Sequence, residues 1–358
     1  MIVKNQRLRA RANRAIGASV VDLFCGAGGL SYGFKLEGFP LAAGVDVDES
    51  CRYPYETNNA AAFIRKDVAA LKPQEIERLF TPGLMRVMVG CAPCQPFSSY
   101  NQKNEDPKWR LLRSFGELIE EVLPDIVSME NVPSLLKFKG GRTFKEFLKV
   151  LSNSDYHVAW GVLYGPDFGL AQTRSRLVLL ASRLGEIALP KATYRGPYRT
   201  VADEIGHLPP LKHGESDVKD PLHCTSKLSD LNARRIVAAK PGGTWRDWND
   251  DLVTPCHKEE SGRGYGAVYG RMEWDKPSPT ITTQFYGFGN GRFGHPEQDR
   301  GLSLREGALL QSFPSTYEFF PAGERVQFKT VGRMIGNAVP VKLARVIAQT
   351  IRSHIKKA

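Results

Sequence analysis

A strand, a glycine turn and a helix follow one another near the start of the chain, and together they restrict its possible folds sharply. Ser19-Val20-Val21-Asp22-Leu23-Phe24 is predicted to form a buried strand. Cys25-Gly26-Ala27-Gly28-Gly29 follows as a glycine turn, and a helix is predicted from Leu30 to Glu37. This order is typical of a parallel α/β fold that binds a ligand over the turn.

The same alternation continues to about residue 182. It predicts helices at 111–122 and 143–151 and strands at 41–45, 62–64, 86–90, 126–129, 158–163 and 176–181. The predicted fold class is α/β and Rossmann-like, a doubly wound sheet with ligands at the carboxyl ends of its strands. Asp46 ends the second strand about twenty residues past the turn, where such a fold holds a ribose. Ser31 replaces the third glycine of the dinucleotide fingerprint, which argues against NAD.

Prolines and polar residues become frequent after about residue 182, and the alternation stops. Regular periodicity returns at 302–310, and a last helix is predicted from Val341 to Ile351, directly after Pro340. We therefore predict two domains. Residues 1–185 together with 297–358 form the larger domain, and residues 186–296 form a smaller, loop-rich one.

Charge and cysteine content indicate the kind of partner and the cellular compartment of the protein. Lys plus Arg number 49 against 38 Asp plus Glu, a net charge of +11 over 358 residues, which favours a polyanionic partner without naming it. The six cysteines are scattered and do not form a disulfide pattern, which indicates a reducing compartment. No apolar run is long enough to cross a membrane and no secretory signal is recognisable, so we expect a cytoplasmic protein without a membrane partner.

A proline-bounded loop carries the strongest candidate for chemistry. Pro93-Cys94-Gln95-Pro96-Phe97-Ser98 follows the apolar run 87–90, and the two prolines predict a rigid loop that presents the Cys94 thiol. A thiol so presented is suited to act as a nucleophile. Cys91 and Cys94 also form a CxxC pair, so a zinc or redox site is an alternative, although no second ligand pair completes four ligands.

Six segments, taken together and in this order, resemble the DNA (cytosine-5) methyltransferase family of the restriction-modification type. The likeness extends over residues 19–353, except the central region. The segments are Asp22 to Gly29, Pro93 to Ser98, Glu130-Asn131-Val132, Gln172 to Arg176, Arg305-Glu306 with Leu310 to Pro314, and Gly336 to Pro340.

The resemblance implies an S-adenosylmethionine-dependent methyltransferase domain that releases S-adenosylhomocysteine and needs no metal. The implied cofactor-binding residues are Asp22, Phe24, Gly26, Gly28, Gly29, Asp46, Val47, Asp67 and Asn337. Phe24 and the glycine turn would cradle the cofactor, while Asp46 would bind its ribose and Asp67 its adenine. Asn337 would close the site. Val47 stands where the family often has a tryptophan that stacks on adenine.

The resemblance also implies the chemistry. Cys94 would add to C6 of a cytosine flipped out of the duplex, which activates C5 for methylation. Glu130 would hydrogen-bond N3 and the exocyclic amine, and Arg174 and Arg176 would supply positive charge at O2.

The implied partners are double-stranded DNA and a restriction endonuclease that cuts the same site, and the protein is expected to be a monomer. Residues 186–296 would be the target-recognition domain, although its aromatic and Arg-rich segments could equally form its own core. Two alternatives remain open at this stage: a tRNA cytosine-5 methyltransferase, and a DNA-binding regulator without catalysis.

Overall fold

The computed structural model describes residues 16–93, 97, 107–260 and 262–358, so the predicted nucleophile Cys94 lies outside the described residues. The chain divides into two compact units. The first comprises described residues of 1–164, 175–192 and 339–358, and the second comprises 165–174 and 193–338. Compactness does not test DNA recognition, so the assignment of residues 186–296 to a target-recognition domain stays a prediction.

One seven-stranded sheet organises the described part of the first unit, with the strand order β3-β2-β1-β4-β5-β7-β6. Its strands are β1 Ala18–Leu23, β2 Leu41–Asp46, β3 Ala62–Arg65, β4 Met85–Gly90, β5 Ile126–Asn131, β6 His157–Tyr164 and β7 Ser175–Ser182. The first five strands pair in parallel. The predicted α/β fold class is thereby confirmed.

The direction of β7 differs from the sequence-based expectation. We expected the candidate side chains at carboxyl ends of strands, but β7 runs antiparallel to both β5 and β6. Arg176 lies near the amino end of β7, and its neighbour Leu177 pairs with Asn131 at the carboxyl end of β5. Because the strand is reversed, Arg176 still reaches the edge of the sheet at which β5 ends.

Helices connect these strands and continue through the second unit. They are α1 Gly29–Leu36, α2 Arg52–Asn59, α3 Pro73–Glu77, α4 Arg110–Val122, α5 Arg142–Asn153, α6 Val201–Ile205, α7 Asp230–Ala238, α8 Pro255–Lys258, α9 Leu304–Leu310, α10 Phe328–Asn337 and α11 Val341–Ile355. None of the described helices is long and apolar enough to cross a membrane.

The core of the first unit is apolar and continuous. The buried side chains of α4 follow helical spacing at Leu112, Phe115, Ile119 and Val122, and they pack in one cluster with β1, β4, β5 and β7. The ring of Phe115 stacks on Phe147 of α5 with centroids 5.9 Å apart. Burial of this apolar stripe fixes the helices on the sheet.

Two helices from distant parts of the chain meet within the first unit. A Cβ built on Gly33 of α1 would lie 2.4 Å from the Cβ of Ala344 in α11, so only glycine permits this approach. The buried Glu37 carboxylate lies 2.6 Å from Arg345 Nε and 3.1 Å from Arg352 Nη2. The glycine turn therefore opens a helix that α11 supports.

The second unit combines an apolar cluster, which includes Ile236, Trp245 and Phe288, with extensive polar contacts. In its described residues, strand pairing is limited to isolated bridges. The buried guanidinium of Arg271 donates instead to the backbone carbonyls of Ile236, Ala239, His295 and Gln298. A second buried cation, Arg300, donates to both carboxylate oxygens of Glu306 at 2.8 and 2.6 Å, and each of these two residues is 0% exposed.

Candidate active site

Glu130 is a buried carboxylate near the end of β5. It is 3% exposed, and its Oε1 lies 2.9 Å from Arg176 Nε as an ion pair. Its Oε2 accepts a hydrogen bond from the Cys91 thiol at 2.9 Å. Strand β4 ends at Gly90, next to β5, so the chain that leads toward Cys94 leaves the sheet beside this carboxylate. The structure thus brings together Glu130 and Arg176, two of the predicted site residues.

Asn131 ties the ends of these two strands together. Its fully buried side chain donates from Nδ2 to the carbonyl of Ala92 at 3.1 Å, and its Oδ1 accepts from the Val132 amide at 2.9 Å. The segment after β4 is consequently fixed to the end of β5. Farther along, the ring of Phe97 is buried and lies edge-on to Phe138 at 4.9 Å.

Arg174 belongs to the second unit, where it binds backbone. Its guanidinium donates to the carbonyls of Ile281 and Ala338, at 3.2 Å in each case. These contacts show that Arg174 joins separate backbone segments of the second unit. Its predicted position beside cytosine O2 is not tested by them and stays a prediction.

The glycine turn after β1 has an unusual backbone. Phe24 has φ 63°, a left-handed conformation that is rare for a residue with a side chain, and Gly26 and Gly28 have φ 50° and 91°. Such strain persists where the surroundings impose it, and it is often associated with ligand binding. Gly28 then directly precedes Gly29, the first residue of α1.

Asp46 at the end of β2 braces this turn. Its Oδ2 accepts from the Gly26 amide and its Oδ1 from the Asp48 amide, each at 2.9 Å. Burial raises the pKa of Asp46 above its usual range, and hydrogen bonds from the amides of Asp48, Gly26 and Val47 oppose that shift. The carboxylate has about four acceptor sites and three amides donate to it, so Asp46 can accept a further hydroxyl group in a fixed geometry.

Asp22 lies beneath the turn and is 1% exposed. Ser31 Oγ donates to its Oδ2 at 2.6 Å and lies 3.1 Å from the Tyr55 hydroxyl. Burial raises the pKa of Asp22 to about 7, and the nearby charge of Asp46 adds to the rise. Within the described residues Asp22 Oδ1 is buried without a hydrogen-bond partner. A cation above the turn would therefore be stabilised by two carboxyl groups.

The remaining predicted cofactor residues are spread over both units. Val47 follows Asp46 and is 65% exposed, which leaves an apolar surface for a flat ring. Asp67 lies two residues beyond β3, where its Oδ1 caps a short helical turn by accepting from Ala69 N at 2.9 Å. Asn337 ends α10 in the second unit. The roles predicted for these three residues stay predictions.

Sequence reasoning missed several contacts of the site. It named Ser31 as a departure from a glycine fingerprint, whereas the hydroxyl is the donor to Asp22. It gave no role to Tyr55, whose buried ring fits only because residue 44 is glycine: a Cβ there would lie 2.3 Å from the ring. The glycine within the apolar strand β2 was the available signal.

A metal site receives no support from the described residues, among which no group of three or more His, Cys, Asp or Glu could hold an ion. The CxxC alternative includes Cys94 and so falls partly outside them.

Known proteins resemble this chain over nearly its whole length. The family model of the C-5 cytosine-specific DNA methylase matches residues 18–353. Type II methylase M.HgiDII of Herpetosiphon aurantiacus is 51% identical over 343 residues, which cover 95% of this chain and 96% of that protein. Type II methyltransferase M1.HphI of Haemophilus parahaemolyticus is 31% identical over 341 residues, which cover 92% and 86%.

A solved structure agrees with the fold. It is a putative DNA modification methyltransferase encoded within an E. coli prophage, with a TM-score of 0.74 and 21% identity over 95% of this chain and all of that one. At this identity the likeness concerns the fold alone.

Proposed function

This chain belongs to the C-5 cytosine-specific DNA methylase family, and from that membership we propose how it acts on DNA. It is a DNA cytosine-5 methyltransferase of the restriction-modification type. We propose that it methylates one cytosine within a specific sequence of double-stranded DNA. The base is flipped out of the duplex, and Cys94 forms a covalent bond with its C6.

The observation that best supports this proposal is the buried Glu130 carboxylate, held by Arg176 and Cys91 beside the end of β4. Cytosine C5 is a poor nucleophile until a group adds at C6. When the Cys94 thiolate forms the S–C6 bond, an electron pair moves toward C5 and N3. The protonated Glu130 carboxyl group donates to N3 as a general acid, which stabilises this charge, and it accepts from the exocyclic amine. Arg176 keeps the group oriented.

The glycine turn suits S-adenosylmethionine, which supplies an electrophilic methyl group when bound. Its ribose hydroxyls match the acceptors of Asp46, and its cationic groups match the carboxyl pair of Asp22 and Asp46. Val47 offers apolar surface to the adenine. Once C5 has gained the methyl group and S-adenosylhomocysteine is left, a base or water removes the C5 proton. The electron pair of that bond re-forms the C5–C6 double bond, and Cys94 leaves as the thiolate.

The second unit is proposed to contain the DNA-reading surface, with residues 186–296 as the target-recognition domain. The net charge of +11 supports a polyanionic partner. The Type II relatives support a bacterial cytoplasmic setting, in which a restriction endonuclease cuts the same sequence and the methylase acts as a monomer.

Transfer of labelled methyl from S-adenosylmethionine tests the proposal. The substrates are genomic DNA amplified by PCR, and hence unmethylated, and in parallel total tRNA. We expect label on DNA only. Cys94→Ala should abolish transfer and keep cofactor binding, while Ser152→Ala, a change at an exposed serine of α5, should match the wild type.

A substituted substrate tests the covalent step separately. DNA amplified with 5-fluorodeoxycytidine triphosphate has no C5 proton to lose, so the adduct cannot resolve. Wild-type protein should form a denaturant-resistant complex with this DNA and Cys94→Ala should form none. A complex that survives in Cys94→Ala would disprove the proposed nucleophile, and label on tRNA alone would assign the activity to the other substrate.

A further inference from the structure

The Glu130 carboxylate is held at both oxygens, and one of its two anchors has no part in the chemistry above. Arg176 Nε lies 2.9 Å from Oε1 as an ion pair, although within the described residues Oε1 accepts no hydrogen bond, and the Cys91 thiol donates to Oε2 at 2.9 Å. A carboxylate turns about its last side-chain bond with only broad preferences. One anchor therefore leaves its plane free to rotate, whereas a second anchor on the other oxygen fixes it.

Cys91 is itself well fixed. It directly follows Gly90, the last residue of β4, and its amide donates to the carbonyl of Leu23 at 3.4 Å. The next carbonyl, of Ala92, accepts from Asn131, the neighbour of Glu130. Since the backbone on both sides of the contact is tied to the sheet, the thiol and the carboxylate have little room to separate.

We propose that Cys91 is a positioning residue for methyl transfer. Its thiol sets the plane of the Glu130 carboxyl group, so that the Glu130 proton meets N3 and a remaining lone pair meets the amine of the flipped cytosine in one orientation. The inference rests on the proposed function, because it requires Glu130 to contact the base. Preorganised groups of this kind act on the rate of the chemical step more than on ground-state binding.

Single-turnover methyl transfer separates this role from a packing role. The probe is PCR-amplified genomic DNA with labelled S-adenosylmethionine, both saturating. Cys91→Ala should lower the rate about two- to tenfold, as loss of one modest hydrogen bond predicts. Cys91→Ser keeps a donor and should stay within about twofold of the wild type. The control Ser152→Ala, at an exposed serine of α5, should leave the rate unchanged.

Two further measurements show whether Cys91 acts through Glu130. The dissociation constants for S-adenosylmethionine and DNA should not change in Cys91→Ala. In a Glu130→Ala background, measured over long incubations, adding Cys91→Ala should cause no further loss, because the contact no longer exists. Should Cys91→Ala lose cofactor binding, Cys91→Val supplies a second side chain without a donor.

The outcomes distinguish this inference from the proposed function. An active wild type with an equally fast Cys91→Ala, or a Cys91→Ser as slow as Cys91→Ala, overturns the positioning role alone. The positioning role is also overturned if Cys91→Ala lowers the rate of methyl transfer as much in the Glu130→Ala background as in the wild type. A wild type that methylates no DNA overturns the proposed function and, with it, this inference.

Discussion

The two compact units differ in how much buried charge accompanies their apolar clusters. In the first, β1, β4, β5 and β7 enclose one apolar cluster with α4 and α5. In the second, a smaller apolar cluster is accompanied by buried guanidinium groups that bind backbone carbonyls and a buried carboxylate. An apolar core distributes its free energy over many weak contacts, whereas a buried ion pair concentrates it in a few. The sheet unit should therefore tolerate changes of shape that the loop-rich unit does not.

The largest effect is expected from Arg300→Met, which leaves the Glu306 carboxylate buried without its cation. We expect a loss of about 3–5 kcal/mol in the free energy of unfolding of the second unit. Hydrogen exchange of peptides from each unit, followed by mass spectrometry in denaturant, measures this loss.

The matched control for that variant is Arg113→Met, which breaks an exposed ion pair with Glu117. It should cost no more than about 0.5 kcal/mol. The double variant Arg300→Met with Glu306→Leu should recover much of the loss, because no unpaired charge remains. If Arg300→Met and Arg113→Met lowered the free energy of unfolding by the same small amount, the second unit would not depend on its buried ion pair.

A smaller effect, dependent on pH, is expected from Asp22→Asn. The pKa of Asp22 is raised to about 7 by burial, so between about pH 4 and 7 the folded state binds a proton that the unfolded state lacks. Stability supplied by the neutral carboxyl is lost as the pH rises through 7. Between pH 5 and pH 8, the free energy of unfolding of Asp22→Asn should rise by on the order of 1–3 kcal/mol relative to that of the wild type. Urea unfolding without cofactor measures this difference.

In the second unit, the contribution of His295 to stability should change with pH in the opposite direction. Burial lowers the pKa of His295 to about 4, so its contribution is present above its usual pKa and is lost as the pH falls toward 4. A pH-independent difference between Asp22→Asn and the wild type would contradict the assignment for the first unit.

The smallest effect is expected from Leu179→Met, a change of shape within β7 that preserves volume. Leu179 is 0% exposed in the apolar cluster, and we expect a loss below about 1.5 kcal/mol. Leu179→Ala, which creates a cavity, is the control and should cost about 2–5 kcal/mol. A Leu179→Met variant as unstable as Arg300→Met would show that the sheet unit is no more tolerant.

Much of the sheet could be predicted because its strands are apolar runs bounded by turns. The helix α2 was missed, since Arg52-Tyr53-Pro54-Tyr55-Glu56 has few apolar residues and the helix depends on tertiary contacts. The ring of Tyr55 over Gly44 is one such contact, and the Arg52 bond to the Phe63 carbonyl is another. Neither has a local signal.

The candidate site was predictable in its residues but not in its contacts. The alternation of strands and helices along the sequence does not show in which direction each strand runs. The reversal of β7 that brings Arg176 to Glu130 could therefore not be predicted. Likewise, the CxxC spacing drew attention to Cys91 as a metal or redox group, whereas the structure joins its thiol to Glu130. Spacing along the chain cannot show which side chain lies across a neighbouring strand.

The packing of α1 against α11 has a consequence during synthesis. The Glu37 and Arg345 side chains that meet there are separated by 308 positions in the chain. A ribosome must therefore translate nearly all of the described protein before the helix behind the glycine turn gains its support. Contacts this distant form late in folding. A nascent methylase should thus acquire the support of its cofactor site only after residue 345 has been translated, and a chain terminated before that point should not methylate DNA.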